Sequence, residues 1–442
     1  MRKLTALLLV LVLALGVTLS ASAELAPMTT DEITLVFGGW DLGDEDYRAV
    51  MERSVAAFME AYPNITVELM QTSSNTQFSD MLNMASAGTL PDVYITVSVP
   101  RVVQNGWALD VTDYLDNDPE AADLMQSFRK VAKINGRDFA IAGYCYPYVC
   151  IVNTTMLEKY NLELPDADWT WDEYAELAEK LAHYEDYNFG IGGHSLYRYY
   201  LALMDGQSSY GWDGEAYHFS DDWVESILQQ RDWSVDHVWE HFDTAEDKIA
   251  ALGSNDVWIP GTGVIGLFTD YSWGAKAFLK FYNRKTGQNF VLYPQPLGDT
   301  DNAMAAVDYC AISPSCEYPR EAYELSKWLV WGEKACMDRV NYYDEKQIDY
   351  IPHQPVISTQ SVWDAFAAHS SDKIKLFDSK RNYIAEASYV APGYDQLQTW
   401  ITDNKVIEGI SDGSIDGYAM LDELNKVAQD ALDEFYANLI LD

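Results

Sequence analysis

His237-Val238-Trp239-Glu240-His241 places two imidazoles and a carboxylate within five positions. On a helix, histidines one turn apart can hold zinc while the glutamate serves as the base of a secreted metallopeptidase. Such a site needs a third ligand, and 69 acidic residues leave no way to pick one. The plain alternative is a solvated helix face. Asp412-Gly413-Ser414-Ile415-Asp416-Gly417, with Glu423 at position twelve, follows a calcium-loop pattern. The same letters also make a turn followed by Asp416 as a helix cap. Gly261-Thr262-Gly263-Val264-Ile265-Gly266 has GxGxxG spacing, but Pro260 precedes it and LFTDYSW follows it. The strand before and helix after that a nucleotide loop requires are therefore missing. No GxxxxGK[ST] loop occurs. With so many carboxylates, a glycosidase pair is neither singled out nor excluded.

The positive signal is aromatic. Of 30 tyrosines and 14 tryptophans, several stand in glycine-rich or turn-like stretches. In ITLVFGGW (33–40), strand-forming residues run into two glycines and a tryptophan. Gly38 and Gly39 are expected to turn the chain and present Trp40 at a strand tip, a place for a ligand platform. The bland alternative packs Trp40 under the next helix. Trp171 is expected to pack a helix end, since Thr170 and Glu173 form a capping box. Trp212 lies in DGQSSYGWDGEAYHFSD (205–221), which reads as turns and a hairpin.

The elements that must position these groups alternate. Tyr47, Val50, Met51, Val55, Phe58, Met59 and Tyr62 predict a helix over 44–62, stopped by Pro63-Asn64. With strands at 33–37 and 65–69 it makes a strand–helix–strand unit, the crossover a parallel pair needs. A second helix over 78–86 and a strand over 93–97 continue the pattern, which argues an α/β lobe. The apolar run DFAIAGYCYPYVCIVN (138–153) reads as a buried strand crossing between lobes, and Leu421, Leu424, Ala428, Ala431, Leu432 and Phe435 share one helical face.

The 442 residues exceed what one core usually serves, roughly 100 to 200 residues per domain, so two lobes are expected. An apolar content of 48% rules out disorder. The opening MRKLTALLLVLVLALGVTLSASA carries a basic start, an apolar run and an Ala21-Ser22-Ala23 exit, a secretory signal peptide cleaved after Ala23. A retained anchor is the rival, but the run is shorter than the roughly 20 residues of a span. The first cysteine is Cys145, so no lipoprotein cysteine stands at the cleavage point. A net charge of −40 repels phosphate backbones and anionic lipid, which disfavours nucleic acid and membrane surfaces. Five cysteines are too few for a disulfide scaffold, although Cys145/Cys150 or Cys310/Cys316 could pair, and no CxxC supports zinc.

The stretches ITLVFGGW, FMEAYPNITVEL, MLNMASAGTLPDV, NGWALDVTDYL, YCYPYVCIVNTTMLEKYNLELPDADWTWDEYAELAEKL, GLFTDYSWGAKAF, YPQPLG, YPREAYELSKWLVW and DGSIDGYAMLDELNKVAQDAL follow one another over nearly all of the mature chain. In order and spacing this series resembles the family 1 extracellular solute-binding proteins, maltose-binding-protein-like receptors that deliver carbohydrates to ABC importers. The resemblance implies an α/β, two-lobed periplasmic-binding-protein type II fold with ligand in the cleft between lobes. It puts one lobe at 24–143 plus 303–350 and a mainly helical one at 144–302 plus 351–442. It implies a non-enzymatic, cofactor-free monomer whose partners are a carbohydrate and ABC permease subunits; a binder of a non-sugar solute on the same fold is the nearer rival. By the same resemblance the ligand-binding positions are Trp40, Tyr94, Ser98, Tyr146, Ser195, Tyr197, Asp270, Tyr271, Trp273 and Tyr394. The sequence departs from the family's pattern in lacking the lipoprotein cysteine and in its longer FTDYSWG turn, which leaves Tyr271 and Trp273 both as candidates for the stacking ring.

Overall fold

The computed structural model describes residues 25–348, 351–369 and 381–440; the signal-peptide segment lies outside them. In chain order the main elements are β1 (Ile33–Gly39), α1 (Glu45–Ala61), β2 (Ile65–Gln71), α2 (Gln77–Ala87), β3 (Val93–Thr96), α3 (Val99–Gln104) and β4 (Ile141–Asn153). There follow α4 (Trp171–Leu181), β5 (Phe189–Gly193), α5 (Asp221–Val235), β6 (Ile265–Tyr271), α6 (Ser272–Ala277), β7 (Phe290–Pro294) and β8 (Asn302–Ile312). Last come α7 (Glu333–Lys346), α8 (Gln360–His369), β9 (Asn382–Ala385), α9 (Tyr394–Asp403) and α10 (Gly417–Ala437).

Local chemistry explains the boundaries. Asp44 caps α1 by accepting from the Tyr47 N–H, and Gly88 ends α2 in the left-handed region with φ +67°. The Thr170–Glu173 capping box opens α4, and Trp171 stacks on Tyr174. Asp416 caps α10 by accepting from Ala419 N–H, the turn-and-cap reading of the calcium-like stretch.

The strands run in the order β2-β1-β3-β8-β4-β6-β5, with β7 added on β4 and β9 on β8. β1 is parallel to both β2 and β3, as the crossover helices demand. The long strand β4 changes partners midway. Its first half pairs antiparallel with β8, from Ile141↔Cys310 to Pro147↔Ala305, and its second half pairs with β6 and β7, beginning at Tyr148↔Tyr271 and Val149↔Pro294. All 13 of its residues are buried. One strand thus carries the chain from one α/β lobe into the other, and β8 returns it.

Two expectations need correction. Gly38 and Gly39 do not turn the chain: both lie inside β1, in register through Gly39↔Gln71, and neither has positive φ. Gly38 is small because the chain passes Pro91, whose Cγ would lie 2.9 Å from an added Cβ. Residues 205–221 form no strand ladder; a turn at Ser209–Gly211 with Tyr210 at φ +59° is followed by a second in which the Asp213 N–H donates to the Ala216 carbonyl. Trp212 there is buried and donates to the Val131 carbonyl at 3.2 Å. Helix α8 packs on α7, Ile357 bridges Leu124, and β9 joins β8.

All five cysteines are free and buried. Cys145 and Cys150 sit an odd number apart on β4 and so face opposite sides of the sheet, which explains why that pair does not bridge.

Helix α4 seats directly on β5, where an added Cβ on Gly190 would lie 2.0 Å from the Ala178 carbonyl oxygen. Gly190→Ala is expected to cost about 1–3 kcal/mol, read as a lower urea midpoint with an unchanged slope; an unmoved midpoint would contradict this seating.

Candidate functional site

Where the two halves of the sheet meet, Trp40, Asp41, Ser74, Val97, Tyr146, Trp273, Asp308 and Tyr389 line a cavity of about 330 Å³. Each wall has a sequence origin. Trp40 and Asp41 follow the end of β1, Tyr146 comes from β4 just before it changes partners, and Asp308 lies on β8 opposite Tyr144. Trp273 is in the first turn of α6, which begins where β6 ends. Tyr146 meets Trp273 edge-on at 5.0 Å, and Trp273 stacks on Tyr271 at 4.1 Å.

This stack separates the two candidates of the FTDYSWG turn. Tyr271 is buried, donates its hydroxyl hydrogen bond to Glu386, and stacks behind Trp273. Trp273 is 41% exposed and turns its ring to the cavity. Tyr146 donates to Asp41 Oδ2 at 2.8 Å, which fixes that carboxylate at the cavity wall. Asp308 is only 3% exposed. Burial, and next the neighbouring Asp41, push its carboxyl well above the usual carboxylate range, with Trp40 acting the other way.

The remaining predicted positions fall elsewhere. Tyr94 is a core residue whose hydroxyl donates to the Trp107 carbonyl at 2.7 Å. Ser98 is buried as the cap of α3. Ser195 and Tyr197 line a different cavity of about 490 Å³ beside α5, with Gln230, Arg231 and His241. Tyr394 stacks on Tyr210 at 5.6 Å and hydrogen-bonds to Gln398 at the start of α9. Asp270 lies 3.3 Å from His194 Nε2 and borders a cavity of about 500 Å³ with Gly193, Glu240, Lys248 and Trp258.

The same region corrects the zinc reading. HVWEH is no helix, because His237 takes φ +56° just after α5 and Trp239 then bridges Ile191 beside β5. His237 stacks on Tyr184 at 3.6 Å, while Glu240 turns onto the glycines that end β5. Among the described residues no three His, Cys, Asp or Glu side chains gather as a metal site. Glu240 accepts from the Gly193 N–H at 3.3 Å through one oxygen, and its other oxygen is buried without a hydrogen-bond partner. Burial first raises its carboxyl to about 7, against the Gly193 N–H and Lys248.

Sequence reasoning missed Asp41, Ser74, Val97, Asp308 and Tyr389. Asp308 carried a signal: it is the one charge in the otherwise apolar strand NAMAAVDYCAI, and a buried charge inside such a run invites a functional explanation. Asp41 adjoins Trp40. Tyr389 comes from a short late helix and nothing in its neighbourhood marks it.

The profile of the bacterial extracellular solute-binding proteins matches residues 43–330, more than half of the chain. Solved structures share the fold across both lobes. A substrate-binding protein of Listeria monocytogenes in complex with cycloalternan is 15% identical, with 92% of this chain and 99% of that one covered at a TM-score of 0.64. The cyclic α-maltosyl-1,6-maltose binding protein of Arthrobacter globiformis is 14% identical, covering 91% and 99% at 0.67. The sugar-binding protein of Xanthomonas citri is 13% identical, covering 91% and 98% at 0.65.

Glu240 ionises near 4.5 as a free side chain and near 7 in the folded protein. Between those values the unfolded chain gives up the proton first, so stability falls as pH rises through the window. In urea denaturation from pH 4 to 8, Glu240→Gln is expected to gain on the parent by on the order of 2–3 kcal/mol; parallel curves would show an ordinary carboxyl.

Proposed function

The chain belongs to the bacterial extracellular solute-binding proteins, and from that premise we propose that it is a carbohydrate receptor whose lobes close on a sugar in the cleft and present it to an ABC importer. The observation that carries this reading is the convergence of Trp40, Tyr146 and Trp273 on one cavity between lobes. Ring faces suit sugars because the C–H faces of a pyranose are apolar while its rim of hydroxyls is polar. Covering on the order of 100 Å² of one ring yields about 2.5 kcal/mol, and two or three such platforms reach micromolar affinity after the costs of association. Asp41, Ser74 and Asp308 then select hydroxyl geometry, since an unmatched buried polar group costs about 1–3 kcal/mol.

The placement also explains closure. Trp40 belongs to the first lobe and Trp273 to the second, with Tyr146 on the crossing strand. A ligand touching both lobes favours the closed arrangement by its differential affinity, which is how an importer tells a loaded receptor from an empty one. The protein acts as a receptor and not as an enzyme, reaches the cell exterior through cleavage of its first 23 residues, and works as a monomer with permease subunits as partners. The proteins of Listeria and Arthrobacter that share the fold bind cyclic saccharides, which supports a carbohydrate as the class of ligand.

Titration calorimetry against a panel of oligosaccharides tests the reading. Trp273→Ala is expected to weaken the best sugar by roughly 10- to 100-fold, about 1–3 kcal/mol, whereas Trp258→Ala, on the separate cavity, leaves affinity unchanged. Equal affinity in Trp273→Ala, or silence across the panel, would contradict it.

A further inference from the structure

Glu386 stands behind the cleft and reaches three of its walls. The residue follows β9, is 3% exposed, and is not itself part of the cavity's lining. Its side chain accepts the hydroxyl hydrogen bond of Tyr271 at the end of β6, and Tyr271 stacks on Trp273 with ring planes 17° apart. Its backbone N–H donates at 3.0 Å to the carbonyl of Ala305 on β8, next to Ala306, which opposes Tyr146. Its backbone carbonyl accepts at 3.0 Å from the N–H of Tyr389, in the short helix Ala387–Val390. One buried residue therefore joins the pieces of chain that bring Trp273, Tyr146 and Tyr389 to the cavity.

We propose that Glu386 is a positioning residue for the sugar: through Tyr271 it sets the tilt of the Trp273 ring, and so governs affinity without touching the ligand. This rests on the carbohydrate reading above and deepens it. A ring face rewards a sugar fully only when it already stands where the sugar needs it, because a ring that must be ordered at binding gives back part of the gain. Stacking alone lets Tyr271 slide in its own plane. A hydrogen bond from the far end of its ring to a buried acceptor removes that freedom, and a carboxylate makes the bond roughly twice as strong as a neutral acceptor would. Burying a carboxylate is costly unless a counter-charge is near, and the Arg198 guanidinium lies 3.8 Å from its other oxygen. For packing alone an apolar side chain would serve here. The bond also crosses the junction, since β6 pairs with the second half of β4 while β8, which carries β9, pairs with the first. The tilt of Trp273 is thereby referred to the strand that faces Tyr146.

Calorimetry with the tightest sugar of the oligosaccharide panel, at a temperature where circular dichroism shows every variant folded, tests the assignment. Tyr271→Phe keeps every ring and removes only the hydroxyl; Glu386→Ala removes the acceptor. Each is expected to weaken binding by roughly three- to tenfold, the size of drawing a ring back into place, and the two together by no more than the larger alone. Glu386→Gln, which retains an acceptor oxygen, is expected to recover most of the affinity that Glu386→Ala loses. In a Trp273→Ala background neither Tyr271→Phe nor Glu386→Ala lowers affinity further, a result that general destabilisation would not give. Tyr271→Phe binding like the parent, Glu386→Gln as weak as Glu386→Ala, or a loss that persists without Trp273 each overturns the positioning role and leaves the carbohydrate receptor standing. Silence of the parent across the whole panel overturns both readings.

Discussion

A single strand shared by two lobes is the constraint on which the rest of the structure depends. β4 hydrogen-bonds to β8 with its first half and to β6 and β7 with its second. Because this one strand is paired in both halves of the sheet and all its residues are buried, it sets where the lobes face each other. Tyr146 sits two residues before the change of partners. Tyr148 opposes Tyr271, whose ring supports Trp273. The platform in the second lobe is thus tied through the ladder to the platform on the crossing strand, and Trp40 completes the set from the end of β1.

How much of this could be read beforehand follows from which interactions are local. Helix α1 and the capping box at Thr170 depend on neighbours within a turn, and their residues announced them. The crossing strand was legible because no surface helix tolerates so unbroken an apolar run. Failures came where tertiary contact decides. Gly38 and Gly39 stay extended because they pair with Met70 and Gln71 of β2, contacts distant in sequence. HVWEH carries a helical metal spacing, yet pairing of Trp239 with Ile191 draws it out beside β5. Of the positions named by family likeness, Trp40, Tyr146 and Trp273 line the interlobe cavity, while Tyr94 and Tyr394 pack against other groups and Ser98 caps α3.

The chemistry of the cleft joins two opposed requirements. Ring faces must be dry to reward contact with a sugar, while carboxylates in the same space are costly unless something neutralises them. Asp308 stands at the meeting point, a lone charge in an apolar strand that also lines the cavity. Its position makes little sense for stability alone, since burial beside Asp41 raises its carboxyl. On the proposed receptor reading, a ligand that supplies donors resolves the conflict, and affinity is then tied to the arrangement in which both lobes touch it.

The most direct measurement is a crystal structure of the protein grown with its tightest-binding saccharide. The account predicts a pyranose ring between Trp40 and Trp273, with Tyr146 at its edge and polar contacts to Asp41 and Asp308. A sugar seated instead in the cavity of Glu240 and Trp258, with the interlobe space holding only water, would contradict it.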